Sequence, residues 1–280
     1  MLTSSGHDRM IRCFLWFSGL SVAAILFIIV AYIAIKGLSV VSLDFIMEAP
    51  RRAGKEGGIS TTIVSTIYLT LVSLCLAVPL GVGSAIYLEE YARRSSRFAG
   101  LVNLAAETLA GIPSIVFGLF GFVFFVIYLN LGWSIISGSL TMAIMILPTI
   151  TRTSQEAILS VPIQYRENSL ALGASKWQTV RRVVLPSAVP GIITGIILSI
   201  GRAVGETAAL ILTAGSALGM PGGLFDPART MSVHLYVLAM EGISMERAYG
   251  TAFLIIVLIM VINYLANLSL SRMTNPGRRI

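Results

Sequence analysis

Residues 158–186 read ILSVPIQYRENSLALGASKWQTVRRVVLP, a polar hairpin between two long apolar runs. Pro162 can open a helix over 163–172, and Gly173 supplies the left-handed residue that ends it. Ser175 with Gln178 three residues on reads as a capping box that starts a second short helix. Pro186 falls at the start of the next apolar run, where a proline costs little. The spacing therefore predicts a helix–turn–helix continuous with a membrane helix. Lys176, Arg181 and Arg182 face lipid headgroups or a partner. Such an element suits the passing of force from a soluble protein into the membrane.

Outward from the hairpin the chain is apolar, with 56% hydrophobic and only 12% charged residues in 280. A span needs about 20 apolar residues to cross a hydrocarbon core of about 30 Å. Six segments qualify: 13–35, 60–88, 99–129, 133–152, 187–214 and 250–271. The first is too long for a signal-peptide core and lacks a small-residue cleavage site, so it reads as an uncleaved span. The third is too long for one straight crossing and is broken at Gly111-Ile112-Pro113-Ser114. Its first part, with Asn103 and Glu107, is expected along the cytoplasmic interface. Pro79, with Gly81 and Gly83, and Pro148 should bend the second and fourth spans. Cys13 and Cys75 lie in apolar runs and imply no disulfide framework. His7 and His234 form no metal-ligand cluster, and no P-loop is present, so this chain does not bind ATP by one of its own. The net charge of +7 marks loops rather than a nucleic-acid surface.

Basic residues set the orientation. With both termini inside, the cytoplasmic segments hold 13 of the 20 Lys and Arg: Arg9, Arg12, Arg93, Arg94, Arg97, Arg152, Arg166, Lys176, Arg181, Arg182, Arg272, Arg278 and Arg279. Six lie outside (Lys36, Arg51, Arg52, Lys55, Arg229, Arg247), and Arg202 lies in a span. The bias places both termini in the cytoplasm.

The fifth span carries an anomaly, SIGRAVGET at 199–207. As one continuous helix, successive residues turn by about 100°. Gly191, Gly195, Arg202, Glu206 and Thr213 then share one face, with Thr194, Ser199 and Ala209 close by. Ile193, Ile196, Ile197, Ile200, Val204 and Ile211 lie opposite. The small-polar side should face a helix partner or a transport path, and the apolar side lipid or other helices of the chain. Arg202 falls near mid-bilayer, with Glu206 about 6 Å further out at 1.5 Å per residue. Each costs about 2.5–3.5 kcal/mol at a helix centre. One reading is a self-neutralising pair inside the bundle, although Arg before Glu is the poorer order for it. The functional reading is that Arg202 offers a guanidinium fork to an oxyanion while Glu206 holds it and keeps the anion from being trapped. Ser199, Thr213 and Ser114 are further candidates for the path, Ser114 alternatively as a helix N-cap. Glu107 could pair with Arg93, Arg97 or the hairpin, or equally stand as a solvated carboxylate at the interface.

Glu167, Gly173, Val183 and Leu185-Pro186 match the E-x5-G-x9-[IV]-x-L-P spacing of the loop that ABC-importer permeases present to their ATPases. Asn168 and Ser169 replace the two alanines usual there. GIPSIVFGLFG at 111–121, AVPLGVGSAIYLEEYA at 77–92 and GRAVGETAALILTAG at 201–215 further resemble the PstA permease family of phosphate ABC transporters. The likeness runs over 57–215. It implies an all-α, six-span, MetI-like type I permease fold forming one transmembrane domain over 1–280, with a coupling loop at 153–186 and an outer loop at 215–249. It implies a multi-pass protein of a bacterial or archaeal cytoplasmic membrane that imports inorganic phosphate and is not an enzyme. The expected partners are a PstC-like second permease, two PstB-like ATP-binding subunits and a PstS-like external binding protein. ATP and Mg would be bound in the ATPase subunits, and no cofactor by this chain. Glu167, Asn168, Ser169, Gly173, Ala174, Ser175, Leu185 and Pro186 would form the coupling loop. Alternatives are a permease for molybdate, sulfate or phosphonate, or a secondary anion transporter coupled to protons through Glu206 or Glu107. A short helix near 230–241 is expected at the outer surface, where a binding protein could dock, with a re-entrant piece facing the outside as the alternative.

Overall fold

The computed structural model describes residues 4–92 and 96–274, so Arg93, Arg94, Arg278 and Arg279 lie outside the described residues. The first span, α1 (Ser4–Leu38), is followed by one turn, α2 (Leu43–Met47), capped by the Ser42 hydroxyl. A hairpin of β1 (Pro50–Arg51) and β2 (Glu56–Gly57) then leads to α3 (Ser60–Ile86), which ends in a widened π-type turn, Tyr87–Tyr91. Next come α4 (Arg97–Gly111) and α5 (Ser114–Gly121), the latter prolonged by a π-type stretch, Phe122–Tyr128. The two arms meet at 105° across the Gly-Ile-Pro-Ser break. The remaining helices are α6 (Ile135–Leu159), α7 (Ile163–Ala171), α8 (Lys176–Thr179), α9 (Leu185–Gly205), α10 (Ala208–Thr213), α11 (Met231–Met240) and α12 (Met245–Thr274). Five helices are long and apolar enough to cross a membrane, and the bent pair makes six. Six crossings return both ends to one side, and the positive bias makes that side the cytoplasm.

The core forms around α6. Its most apolar stretch is 67% buried, against 0% for α1 and 6% for that of α12. Leu69 of α3, Met142, Met145, Ile146 and Ile150 of α6, and Leu210 of α10 form the main cluster. Lipid is as apolar as leucine, so such helices associate through close packing and internal hydrogen bonds rather than hydrophobic burial. A Cβ at Gly195 of α9 would overlap the Thr153 side chain, and one at Gly191 would lie 2.6 Å from the Ala157 Cβ. The small-residue side of α9 therefore packs on α6, which is the helix partner that side required. Buried hydroxyls of α3 bond back to their own helix: Thr62 to the Ile59 carbonyl, Thr66 to that of Thr62, Ser73 to that of Leu69. This satisfies polar groups that lipid cannot.

One expectation is corrected. The fifth span is not one helix over 187–214: it runs back without interruption to Lys176, stops at Gly205 and restarts as α10. The helical wheel therefore fails beyond Gly205. Pro186 lies in the first turn of α9, as expected, directly after a π-type turn, Val180–Val184, whose widened register carries the helix past the missing proline donor. Pro79 and Pro148 lie inside α3 and α6.

On the outer side α11 matches the expected short helix. Thr66 Oγ1 accepts the Met231 N–H at 2.9 Å and seats its first turn. His234 is 1% exposed, and its Nδ1 has no hydrogen-bond partner. Gly54, at φ +102°, lets the backbone of the first outer loop lie against its ring. Burial, with the charges of Arg229 and Arg247, pushes the His234 pKa down to about 4.

Candidate functional site

The break in the fifth span is built by local chemistry. Glu206 is extended (φ −72°, ψ 129°), and its N–H closes the last turn of α9 on the Ala203 carbonyl. Its carboxylate turns forward and accepts the Ala209 N–H at 3.1 Å, capping α10. Its carbonyl accepts the Ser232 hydroxyl at 2.5 Å, and Ser232 meets Thr230 at 3.0 Å. The interruption is thus satisfied from α10 and α11, as a polar backbone at membrane depth must be.

Arg202 is different. It is half-buried, and among the described residues it makes no hydrogen bond or ion pair. The expected pairing with Glu206 is therefore corrected, because that carboxylate is committed to the α10 cap. Around Arg202 the helix surface is open. A Cβ at Gly201 or Gly205 would meet nothing within 4 Å, and Thr194 and Leu198 continue the exposed side. α9 thus has a packed side and an open side, with Arg202 at their edge.

Ser199 and Thr213 are fully buried and donate to the Gly195 and Ala209 carbonyls on their own helices. A Cβ at Gly121 would touch Thr213, so that residue packs between α5 and α10. Neither is brought together with Arg202 on an open surface. Ser114 is half-buried at the first position of α5; the N-cap is Pro113, which corrects the alternative reading of Ser114. Glu107 pairs with Arg152 at 3.6 Å rather than with Arg97 or the hairpin, and Arg93 lies outside the described residues.

The cytoplasmic hairpin follows its sequence signals. Gly173 has φ +86°, and Ser175 and Gln178 form the reciprocal capping box. Ser169 Oγ meets Thr179 Oγ1 at 2.9 Å and ties the two arms. Glu167, Asn168, Gly173, Ser175 and Pro186 are exposed, Ala174 is half-buried, and Leu185 packs against Val184, Ala188 and their cluster. Ile163, Tyr165, Leu170, Leu172 and Trp177 are large, apolar and exposed on the same element. Lys176 Nζ stands 5.1 Å over the Tyr91 ring.

Sequence reasoning missed the polar seam beneath the hairpin. Glu89 accepts from Gln155 at 2.8 Å, and Gln155 also donates to Asn103 at 3.1 Å. Arg166 binds Glu90 at 2.9 Å. The available signal was the pair of adjacent carboxylates in YLEEY together with Arg166 in the hairpin.

The sequence model of the family described as "Binding-protein-dependent transport system inner membrane component" matches residues 77–275. The "Probable ABC transporter permease protein YqgI" of Bacillus subtilis is 35% identical over 261 residues, 88% of each chain. The "Phosphate transport system permease protein PstA" of Mycobacterium leprae is 34% identical over 210 residues, covering 74% of this chain and 68% of its own. The Haemophilus influenzae protein of that name is 30% identical over 203 residues, covering 72% of this chain and 71% of its own. Among solved structures, a bacterial ABC transporter that imports alginate matches with a TM-score of 0.67 at 17% identity, covering 97% of this chain and 100% of that one. The inward-facing MetNI methionine transporter matches at 0.60 and 19%, covering 77% and 94%.

Proposed function

Because the chain belongs to the binding-protein-dependent transport system inner membrane component family, we propose that it forms half the pore of an ABC importer for inorganic phosphate. Its fold is that of the MetI-type ABC permeases, and it is a transport subunit rather than an enzyme. The partners we infer are a PstC-like second permease, two PstB-like ATPases that bind ATP and Mg, and a PstS-like binding protein. The family description supports the binding protein, as does the alginate importer solved with its periplasmic protein. The chain sits in a bacterial or archaeal cytoplasmic membrane. Relatives named for phosphate transport support the substrate.

The observation that carries an anionic substrate is Arg202, a guanidinium without a hydrogen bond or ion pair among the described residues, at the edge of the open side of a helix that begins in the hairpin. A lone cation in a span costs enough that a function is its best explanation. The guanidinium presents parallel N–H donors that match two oxygens of a tetrahedral oxyanion. Conduction needs this contact to be weak enough to release, and one fork without an enclosing cage meets that need. Glu206 acts by holding the break, so that the helix carrying Arg202 ends where it does. ATP hydrolysis in the partner subunits supplies the work, delivered through Glu167–Pro186.

Uptake of radiolabelled phosphate by proteoliposomes holding the whole importer tests this. Arg202→Ala should lower uptake roughly a hundredfold, a barrier change of about 2.7 kcal/mol, while assembly stays intact. Near-normal uptake removes Arg202 from the path. The same fork suits sulfate, molybdate or phosphonate, and stronger competition by one of these than by unlabelled phosphate would reassign the substrate.

A further inference from the structure

The Arg166 side chain makes four polar contacts. Nε and one terminal nitrogen both reach Glu90 Oε1 at 2.9 Å. The terminal nitrogens also donate to the Val161 carbonyl at 2.7 Å and the Ile158 carbonyl at 2.8 Å. Ile158 lies in the last turn of α6 and Val161 just past its C-cap, where a helix end favours a cation. Glu90 sits in the π-type turn that ends α3. The Ala92 N–H there reaches back five residues to the Tyr87 carbonyl at 2.8 Å, and such bulges cluster at functional positions. Successive helical residues point about 100° apart, so Glu89 serves Gln155 of α6 while Glu90 serves Arg166 of α7. The pair is well buried, with side chains 16% and 9% exposed, although the hairpin around it is largely open. Among the described residues, Arg166 supplies every side-chain hydrogen bond and ion pair that joins α7 to α3 and α6.

We propose that Arg166 is a positioning residue: latched to Glu90, it passes a displacement of the α7–α8 hairpin to the cytoplasmic ends of α3 and α6 together. This rests on the reading of the hairpin as the ATPase-coupling element. A covalent connection alone moves α6 and α9, which flank the hairpin in the chain. The latch adds α3, 76 residues away in sequence, and makes the three ends move as one body. A buried, multiply bonded guanidinium suits this because it resists rotation in a way that a solvated surface pair does not.

The test uses the importer purified with its ATPase subunits and binding protein, reconstituted in liposomes, with phosphate uptake and ATP turnover measured on one preparation. In Glu90→Gln and Arg166→Lys the ATPase subunits should co-purify and turn over ATP near the wild-type rate. Phosphate moved per ATP should fall roughly tenfold, and the double variant should be no worse than the worse single one. An unchanged ratio in both single variants, or uptake and turnover falling in parallel as the ATPase dissociates, overturns the latch. A wild-type complex that binds no ATPase overturns instead the coupling reading beneath it.

Discussion

Arg166 and Arg202 belong to one continuous stretch of chain, yet the protein treats them in opposite ways. Arg166 lies in the cytoplasmic hairpin, where water could solvate it, and is buried against Glu90 and two carbonyls. Arg202 lies in a span, where an internal partner would relieve it most, and has none among the described residues. If electrostatic economy alone set their surroundings, the order would be reversed. A charge fixed at every donor is a structural joint. One left with free donors at a cost is available to something outside the chain.

The sharpest way to break this contrast is to truncate both. Arg166→Ala leaves Glu90 buried without its cation and should cost about 3–5 kcal/mol of stability, read as a large drop in the unfolding midpoint in detergent. A change under 1 kcal/mol would show that the latch holds nothing. Acid offers the next largest effect, on a buried polar group that is neither latched nor exposed. The His234 pKa is near 6.5 when unfolded and about 4 when folded. The unfolded chain therefore takes up the proton first. Stability from this group is complete above pH 6.5 and lost as the pH falls toward 4, by up to about 3 kcal/mol. Unfolding midpoints from pH 7 to 4.5 should show that loss in the wild type and a flatter profile in His234→Gln. If the two profiles are parallel, His234 is not the source.

Smaller effects separate the two sides of α9. Gly195→Ala forces a methyl against Thr153 and should destabilise the isolated subunit by about 1–3 kcal/mol. Gly201→Ala meets open space and should be neutral or stabilise by about 0.5–1 kcal/mol through helix propensity. Equal responses would mean that α9 has no open side. Arg202→Ala should not lower stability at all, because no hydrogen bond or ion pair among the described residues is lost and the cost of a charge in a span is removed. A large drop in its melting midpoint would make Arg202 a second joint.

Local signals were legible wherever neighbouring residues decide the backbone. Pro162, Gly173 and the Ser175–Gln178 box specify the hairpin within a dozen residues, and Gly111-Ile112-Pro113-Ser114 marks the bend between α4 and α5. The break after Gly205 was hidden because apolar periodicity runs on through AALILT. What settles it is Ser232, 26 residues away, and a carboxylate that caps the next helix instead of reaching back. Ser199 and Thr213 looked like lining residues because small and polar side chains also let helices touch. The Arg166–Glu90 joint depends on bringing together the ends of separate spans, which no window along the chain contains.

The exposure of α1 has a consequence for how the protein is made. Among the described residues its one extensive packing partner is α12, which follows the other spans in sequence. Gly37 admits Phe253 and Tyr249 closely, and Tyr32 meets the Tyr249 ring edge-on at 5.7 Å. During synthesis the first span therefore enters the bilayer long before its counterpart exists. Its charge-free run from Cys13 to Ile35 lets it wait in lipid alone, and its docking on α12 closes the bundle only after the other spans are inserted.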